Sequence, residues 1–267
     1  MAYRWTLAIR TAAWIGLSAC NLKSPHPAAK LGPPERKPSF AVVTSDYVSS
    51  AIALLDADGE LITEAWIDSG TTAAGLSATI GGDVVLPSHP SEDNTLKVID
   101  RLGIDVVTRI DLDSGQIIDQ IQTQGNGPNE TGFRANPQDW VQISDTVAFV
   151  SRHEPNLNPN ASELDAGNDL IQIDLPAQSI RRHIDLASFN TSVGATTVYA
   201  RPALMTQLGS FLIFSMARLS FDFSKAASGI LGYLDLSSMT LGRLDLAPCK
   251  QAAWPRQATL KLFLYCA

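Results

Sequence analysis

The sequence predicts an all-β fold in which similar sheet modules pack side by side around an axis. Three observations carry this expectation. From residue 40 onward, short Val/Ile/Leu-rich runs alternate with Gly, Asn, Asp, Ser and Pro, and no long 3.6-residue periodicity interrupts them. A hairpin-like unit recurs, with its first run closing on an Asp at positions 56, 111, 174 and 235, a spacing of 55, 63 and 61 residues. Each hairpin is preceded by an apolar run that closes on a Ser.

In chain order, the first unit reads Ala41–Ser45, then Ala51–Asp56, then Leu61–Ile67. The second reads Val84–Ser88, Val106–Asp111, the turn Leu112–Gly115, and Gln116–Ile121, with a weaker strand expected upstream at Ala74–Ile80. The third has a weak strand at Trp140–Ile143, then Val147–Ser151, Leu170–Asp174 and Ser179–Ile184. The fourth has Ala203–Gln207, Phe211–Ser215, Ile230–Asp235 and Met239–Leu244, and a fifth begins at Leu260–Tyr265. Each unit thus holds up to four strands in meander order, and no single unit can bury both of its faces. Arranged radially, such units make a β-propeller of about four to five four-stranded blades, placed here at residues 40–267. The competing architecture is a β-sandwich with irregular loops. Four full units and a started fifth are few, so the reading favours an incomplete propeller over one whose last strand, near Leu260–Tyr265, completes the first unit. The recurring Asp side chains are expected to cap tight hairpins, and Trp66, Trp140 and Trp254 to pack between sheets.

The stretch Gly125-Asn-Gly-Pro-Asn-Glu-Thr-Gly-Phe133-Arg-Ala-Asn-Pro137 resembles the linker of bacterial NHL propellers. In such linkers glycines permit a tight backbone between blades, and an aromatic fills the gap between sheets. The turn Asp111–Gly115 resembles the hairpin of YVTN propellers.

The N-terminus reads as an address. Residues 1–19 carry Arg4 and Arg10, no acid, and a short apolar run of small residues, the pattern of a secretory signal. Leu17-Ser18-Ala19-Cys20 resembles the lipobox of bacterial lipoproteins. The resemblance implies cleavage before Cys20, a diacylglycerol on its thiol, a bilayer as partner, and palmitate-type acylation. By resemblance to enterobacterial lipoprotein sorting, Asn21 rather than Asp after the Cys implies the outer membrane, facing periplasm or cell surface. Residues 20–39, with Pro25, Pro27, Pro33, Pro34 and Pro38, form a stiff extended tether. The remaining cysteines, Cys249 and Cys266, form a disulfide in an oxidising compartment or stand as two thiols.

The formal charge is −7, and loss of Arg4 and Arg10 with the signal takes it to −9. With no Lys/Arg cluster, nucleic acid is excluded as a partner. Gly-x-Ser-x-Gly, Gly-x-x-x-x-Gly-Lys, His-Glu-x-x-His and Cys-x-x-Cys are all missing.

In a meander propeller the links between blades and between second and third strands share one face. Here these links are expected to be long, with His89–Thr95, Arg152–Asn168 and Met216–Ser228 among them, so that face is the expected working surface. Candidate ligand-binding residues are Asp46, His89, Arg152, His153 and Glu154, with His89 and His153 expected at matching positions facing a common axis. Asp165 and Asp169, in an oxygen-rich loop, are weak candidates for calcium, the one cofactor the composition suggests. The leading expectation is a lipid-anchored, non-enzymatic scaffold that binds a protein, peptide or glycan. The alternative is a metal-dependent propeller lactonase or hydrolase using His89, His153, Asp46 or Glu154.

Overall fold

The computed structural model describes residues 31–90, 93–102, 104–125, 132–245, 252–258 and 261–266. It is an antiparallel, propeller-like all-β fold. The first sheet is β1 (Phe40–Ser45), β2 (Ser50–Leu55) and β3 (Leu61–Asp68) in that order; among the described residues it has no innermost strand, and its three strands are numbered as the second, third and fourth of a blade to match the four-stranded sheets. The second is β4 (Val84–Val85), β5 (Thr95–Asp100), β6 (Val106–Asp111) and β7 (Ile117–Gln122). The third is β8 (Pro137–Ser144), β9 (Val147–Pro155), β10 (Gly167–Asp174) and β11 (Ser179–Asp185). Two short strands follow, β12 (Thr191–Val193) and β13 (Thr196–Tyr199). The fourth sheet is β14 (Pro202–Leu208), β15 (Phe211–Met216), β17 (Ile230–Asp235) and β18 (Thr240–Asp245). Between its second and third strands, β16 (Leu219–Ser220) leaves the blade and pairs with β13. A last hairpin is β19 (Ala252–Ala258) and β20 (Lys261–Cys266), with β19 lying beside β14 and β15.

Three apolar cores separate the four sheets, and this makes the packing radial. Ile52, Leu54 and Ile67 of the first sheet meet Val84, Val98 and Ile110 of the second. Ile99, Val107 and Ile121 of the second meet Trp140, Ala148, Val150 and Ile171 of the third. Val141, Phe149 and Leu170 of the third meet Met205, Leu212, Phe214 and Leu234 of the fourth. A central sheet thus buries both faces, each against a neighbour, as a module that cannot shield itself must. Trp66 and Trp140 are buried in these interfaces; the side chain of Trp254 lies outside the described set.

The recurring Asp residues share one role. Asp56 Oδ1 accepts from the Glu60 amide at 2.9 Å, Asp111 from Ser114 at 2.7 Å, Asp174 from Ala177 at 3.0 Å and Asp235 from Ser237 at 2.9 Å. Each closes the turn that leads into the outermost strand of its sheet, a job for a short side-chain acceptor that competes well with backbone. The recurring Ser residues join sheets. Ser45 donates to Gly82 O and Ser151 to Ala203 O, in both cases from a second strand to the next sheet's innermost segment. At the centre, buried Asp139 of β8 accepts from the Ser88 amide at 2.8 Å and the Met205 amide at 2.7 Å, tying three blades together.

Two sequence expectations are corrected, and the alternative in which the last strand completes the first unit does not hold. Val84–Ser88 is the innermost strand of its blade with its outgoing link, and the second strand is β5, Thr95–Asp100, which was not foreseen. Lys97 and Asp100 interrupt its apolar run, yet all six of its residues are buried. Ala74–Ile80 is irregular and forms no strand. β20 pairs with β19 and not with β1, so it does not complete the first sheet. Cys20 and Cys249 lie outside the described residues, as does the side chain of Cys266.

Candidate functional site: the face built by the second-to-third strand links

The links between second and third strands occupy residues 46–49, 101–105, 156–166 and 217–229, one per blade. Antiparallel meander geometry sends all four to the same face. Every one carries a large apolar side chain into solvent. They are Tyr47 and Val48, Leu102, Leu157, and Phe221 and Phe223, exposed by between 51% (Leu157) and 85% (Val48). On the opposite face the described turns themselves hold no exposed large apolar residue, and the exposed apolar side chains that directly follow them, Leu61 and Phe211, are the first residues of strands β3 and β15.

Two of these tips are locked by a carboxylate. Asp46 Oδ1 accepts from the Val48 amide at 2.9 Å and the Ser49 amide at 2.7 Å, and the Tyr47 amide donates to Ser45 Oγ at 3.0 Å. Hydrogen bonds from Ser49 and Val48 hold the Asp46 carboxyl below its usual range. Asp222 accepts from Ser220 Oγ at 2.6 Å and Ser224 Oγ at 2.8 Å, which brings its pKa down to about 2. The aromatic beside each brace sits at positive φ, 66° at Tyr47 and 62° at Phe223. That region is unfavourable for a bulky residue and persists only where its surroundings impose it.

Beneath the fourth link lies the residue that organises it. Arg201, fully buried at φ 50°, precedes Pro202 and β14. It donates to Glu154 Oε2 at 2.6 Å, to Ser220 O at 3.2 Å and to Phe221 O at 3.1 Å, and its guanidinium lies 4.2 Å from the centre of the Phe223 ring. His153 stacks on the same ring at 6.4 Å with a 12° interplanar angle. Its Nδ1 is 3.1 Å from Glu154 Oε1 and 3.1 Å from an Arg201 nitrogen. Burial works against the Glu154 carboxylate, but the His153 hydrogen bond and the Arg201 charge outweigh it and hold its pKa low. The fixed cation–π contact and three carbonyl acceptors, Leu219 O at 3.3 Å with Ser220 O and Phe221 O, make Arg201 a clamp on the loop that carries Phe221 and Phe223. Neither Arg201 nor these phenylalanines was singled out from sequence. An Arg directly before a Pro at the start of an inner strand was the available signal.

The remaining candidates disperse. His89 belongs to the β4–β5 link and emerges on the opposite face from His153, so the two share no axis-facing position. Arg152 is inaccessible. Its guanidinium pairs with buried Asp169 and donates to Thr123 O at 2.9 Å and Leu164 O at 2.6 Å. Asp169 also has His183 Nε2 at 3.1 Å. Burial raises and Arg152 lowers its pKa, with the net result low. Asp165 is buried too and accepts from the Gly125 amide at 2.5 Å and from Ser162 Oγ at 2.8 Å, which closes its loop. Among the described residues no group of three His, Cys, Asp or Glu side chains converges as a metal cage would require.

Fold and face together define a propeller-like protein with a rigid scaffold and one loop-built apolar surface. No protein-family model and no curated protein matches the chain. Among solved structures it is similar to Sqt1 of Saccharomyces cerevisiae, at 12% identity and TM-score 0.49, over 90% of this chain and 54% of that one. It is also similar to BamB of Moraxella catarrhalis, at 11% identity and TM-score 0.40, over 79% of this chain and 48% of that one. The chain therefore spans about half the length of these two proteins.

Proposed function

We propose that this protein is a lipid-anchored envelope scaffold whose link face docks a polypeptide. The observation that carries the reading is the large apolar side chain lifted on every second-to-third strand link, two of the tips being Asp-braced aromatics. Rigid aromatic anchors lose little conformational freedom on binding, so they convert contact area into affinity efficiently. A polypeptide offers the mix of apolar side chains and backbone hydrogen bonding that such a surface accommodates. The lipobox-like Leu17–Cys20 and the Pro-rich residues 20–39 support a tethered chain that holds this face away from a bilayer. Of the candidate residues of the metal-hydrolase alternative only His153 and Glu154 meet, and Arg201 pairs with both; His89 lies on the other face and Asp46 closes a turn.

The test is a photo-crosslinking residue placed at Val48, Leu157 or Phe221, with Ala177 and Ser210 on the opposite face as controls. Polypeptide adducts from the three tips, and none from the controls, are expected in intact envelopes. Equal yields from both faces would reject the docking face. Separately, Cys20→Ser is expected to block incorporation of an alkyne-tagged fatty acid and to release the chain from membranes.

A further inference from the structure

The first sheet leaves open an edge that the other sheets close. In the second, third and fourth sheets an innermost strand, β4, β8 or β14, pairs with the strand that follows it. Among the described residues nothing pairs with β1 on that side. The hydrogen bonds at its end fix which groups are left over. The Asp46 amide donates to Ser49 O at 3.2 Å, and the Ser50 amide turns the other way, to Ser69 Oγ at 2.8 Å. Along an antiparallel strand the backbone groups of successive residues point to alternate sides. The register of Phe40–Ser45 with Ser50–Leu55 is unbroken. Residues 40, 42 and 44 therefore face β2, while the N–H and C=O groups of Ala41, Val43 and Ser45 face the open side.

This edge carries none of the devices that keep an edge strand from pairing, which are charged side chains, prolines, bulges and short length. The outer strands β3, β7, β11 and β18 hold Glu64, Asp119, Arg181 and Arg243. The inner strands β8 and β14 open on Pro137 and Pro202, and β4 has only two residues. β1 has six residues, with no charge, no proline and no register shift. It is apolar on both faces. Ala41 and Val43 pack against the core shared with the second sheet, and Phe40 and Val42, 56% and 44% exposed, stand on the other face. The corresponding strand of the second sheet, β5, is buried throughout.

We propose that the inner edge of β1 takes an extended segment of a partner polypeptide as an added innermost strand, antiparallel to β1. Donors and acceptors alternating at strand spacing match the main chain of another strand, and side chains at alternate positions extend the apolar faces of β1. A six-residue edge with β4 alongside falls short of the area that two whole copies of this chain need to stay together. β1 runs directly into the link that carries Tyr47 and Val48, so the added strand ends beside an apolar tip. The class of partner rests on the polypeptide reading of the link face; the open edge does not.

The probe is a fluorescent hexapeptide of alternating threonine and valine with two C-terminal lysines for solubility, titrated into the full chain in detergent and followed by anisotropy. Binding with a Kd below about 1 mM is expected. Added residues opposite Ala41 and Val43 have their side chains on the core side and their amides toward β1. N-methylation of the three valines should therefore weaken binding about tenfold or more, and N-methylation of the three threonines by less than about threefold. Val43→Pro deletes a donor on the open side and spares the bonds to β2, so it should also weaken binding about tenfold. Should that variant unfold, the two methylated peptides decide. In the chain alone the amides of Ala41 and Val43 should exchange faster than those of Val42 and Thr44, and the peptide should protect them. The proposal is overturned if the peptide does not bind, if both methylated peptides bind alike, or if folded Val43→Pro binds unchanged. It is equally overturned if Ala41 and Val43 are protected without peptide, which puts this chain's own residues or a second copy on the edge. Tyr47→Ser with Val48→Ser should leave peptide binding within about twofold. Loss of the tip crosslinks alone then rejects the link-face reading, and loss of peptide binding alone rejects the added strand.

Discussion

Replacing Arg152 by Met puts the interior of the third blade to a quantitative test. Arg152 and Asp169 are both fully buried, and the guanidinium also reaches Thr123 O and Leu164 O, which belong to the preceding inter-blade link and the third blade's long loop. Removing the cation strands a carboxylate in a low-dielectric site, a change worth about 3–5 kcal/mol, and orphans two carbonyls. The double variant Arg152→Met, Asp169→Leu removes both charges and is expected to recover at least half of the loss, a coupling of about 2 kcal/mol or more. Equilibrium urea unfolding measures both. His183 adds a pH signature. Burial lowers its pKa, but the Asp169 hydrogen bond and charge outweigh that and raise it. A raised histidine contributes stability that is fully present below its unfolded value of about 6.5 and is lost as pH climbs through the folded value. With Arg152 gone, His183 is the remaining cation at Asp169, so the single variant should lose stability more steeply from pH 6 to 8 than the parent. A cost below about 1 kcal/mol, or strictly additive single losses, would refute this reasoning.

Three further outcomes follow from particular contacts. Gly232 faces Phe214 across the β15–β17 pair, and a Cβ there would stand 2.1 Å from the Phe214 ring; Gly232→Val should cost about 1–3 kcal/mol in urea unfolding. Burial raises the Asp105 carboxyl to about 6, so the fold binds its proton more tightly than the unfolded chain does. Stability should therefore decline by up to about 3 kcal/mol between pH 4 and 6, and Asp105→Asn should abolish that slope in urea midpoints taken across the range. Asp46→Ala removes the brace on the first tip and should leave global unfolding within about 0.5 kcal/mol, while amide exchange at Val48 and Ser49 rises.

The repeat was legible because its markers do physical work. The Asp at 56, 111, 174 and 235 must accept turn amides, and that requirement writes a fixed residue at a fixed place. Alternating apolar runs likewise marked most strands, since each sheet buries at least one face against a neighbour. The second strand β5 was hidden because burial of Lys97 and Asp100 depends on polar partners that no apolar pattern reveals, Asp93 four residues away for one and the Gly81 amide for the other. That omission shifted Val84–Ser88 by one strand and carried His89 to the wrong face. Arg152 read as a loop ligand because a sequence does not show that a charged side chain has Asp169 and two carbonyls waiting for it. The face itself was half legible: long links pointed to it, but the apolar tips gain meaning only when four distant segments share one side. The small sheet of β12, β13 and β16 was invisible, being a three-residue hairpin and a two-residue pairing across a long separation.

The central claim is that four meander blades set one apolar tip each on the same face. Spin labels at Leu102, Leu157 and Phe223, with a fourth at Asp145, test it by dipolar distance measurement in a chain whose three cysteines are replaced by serine. β9 separates positions 145 and 157 by its full run of nine residues, about 30 Å at the rise of an extended strand. The blades predict that the 102–157 and 157–223 distances are both shorter than the 145–157 distance. A 145–157 distance shorter than either would place the tips on different sides and contradict the account.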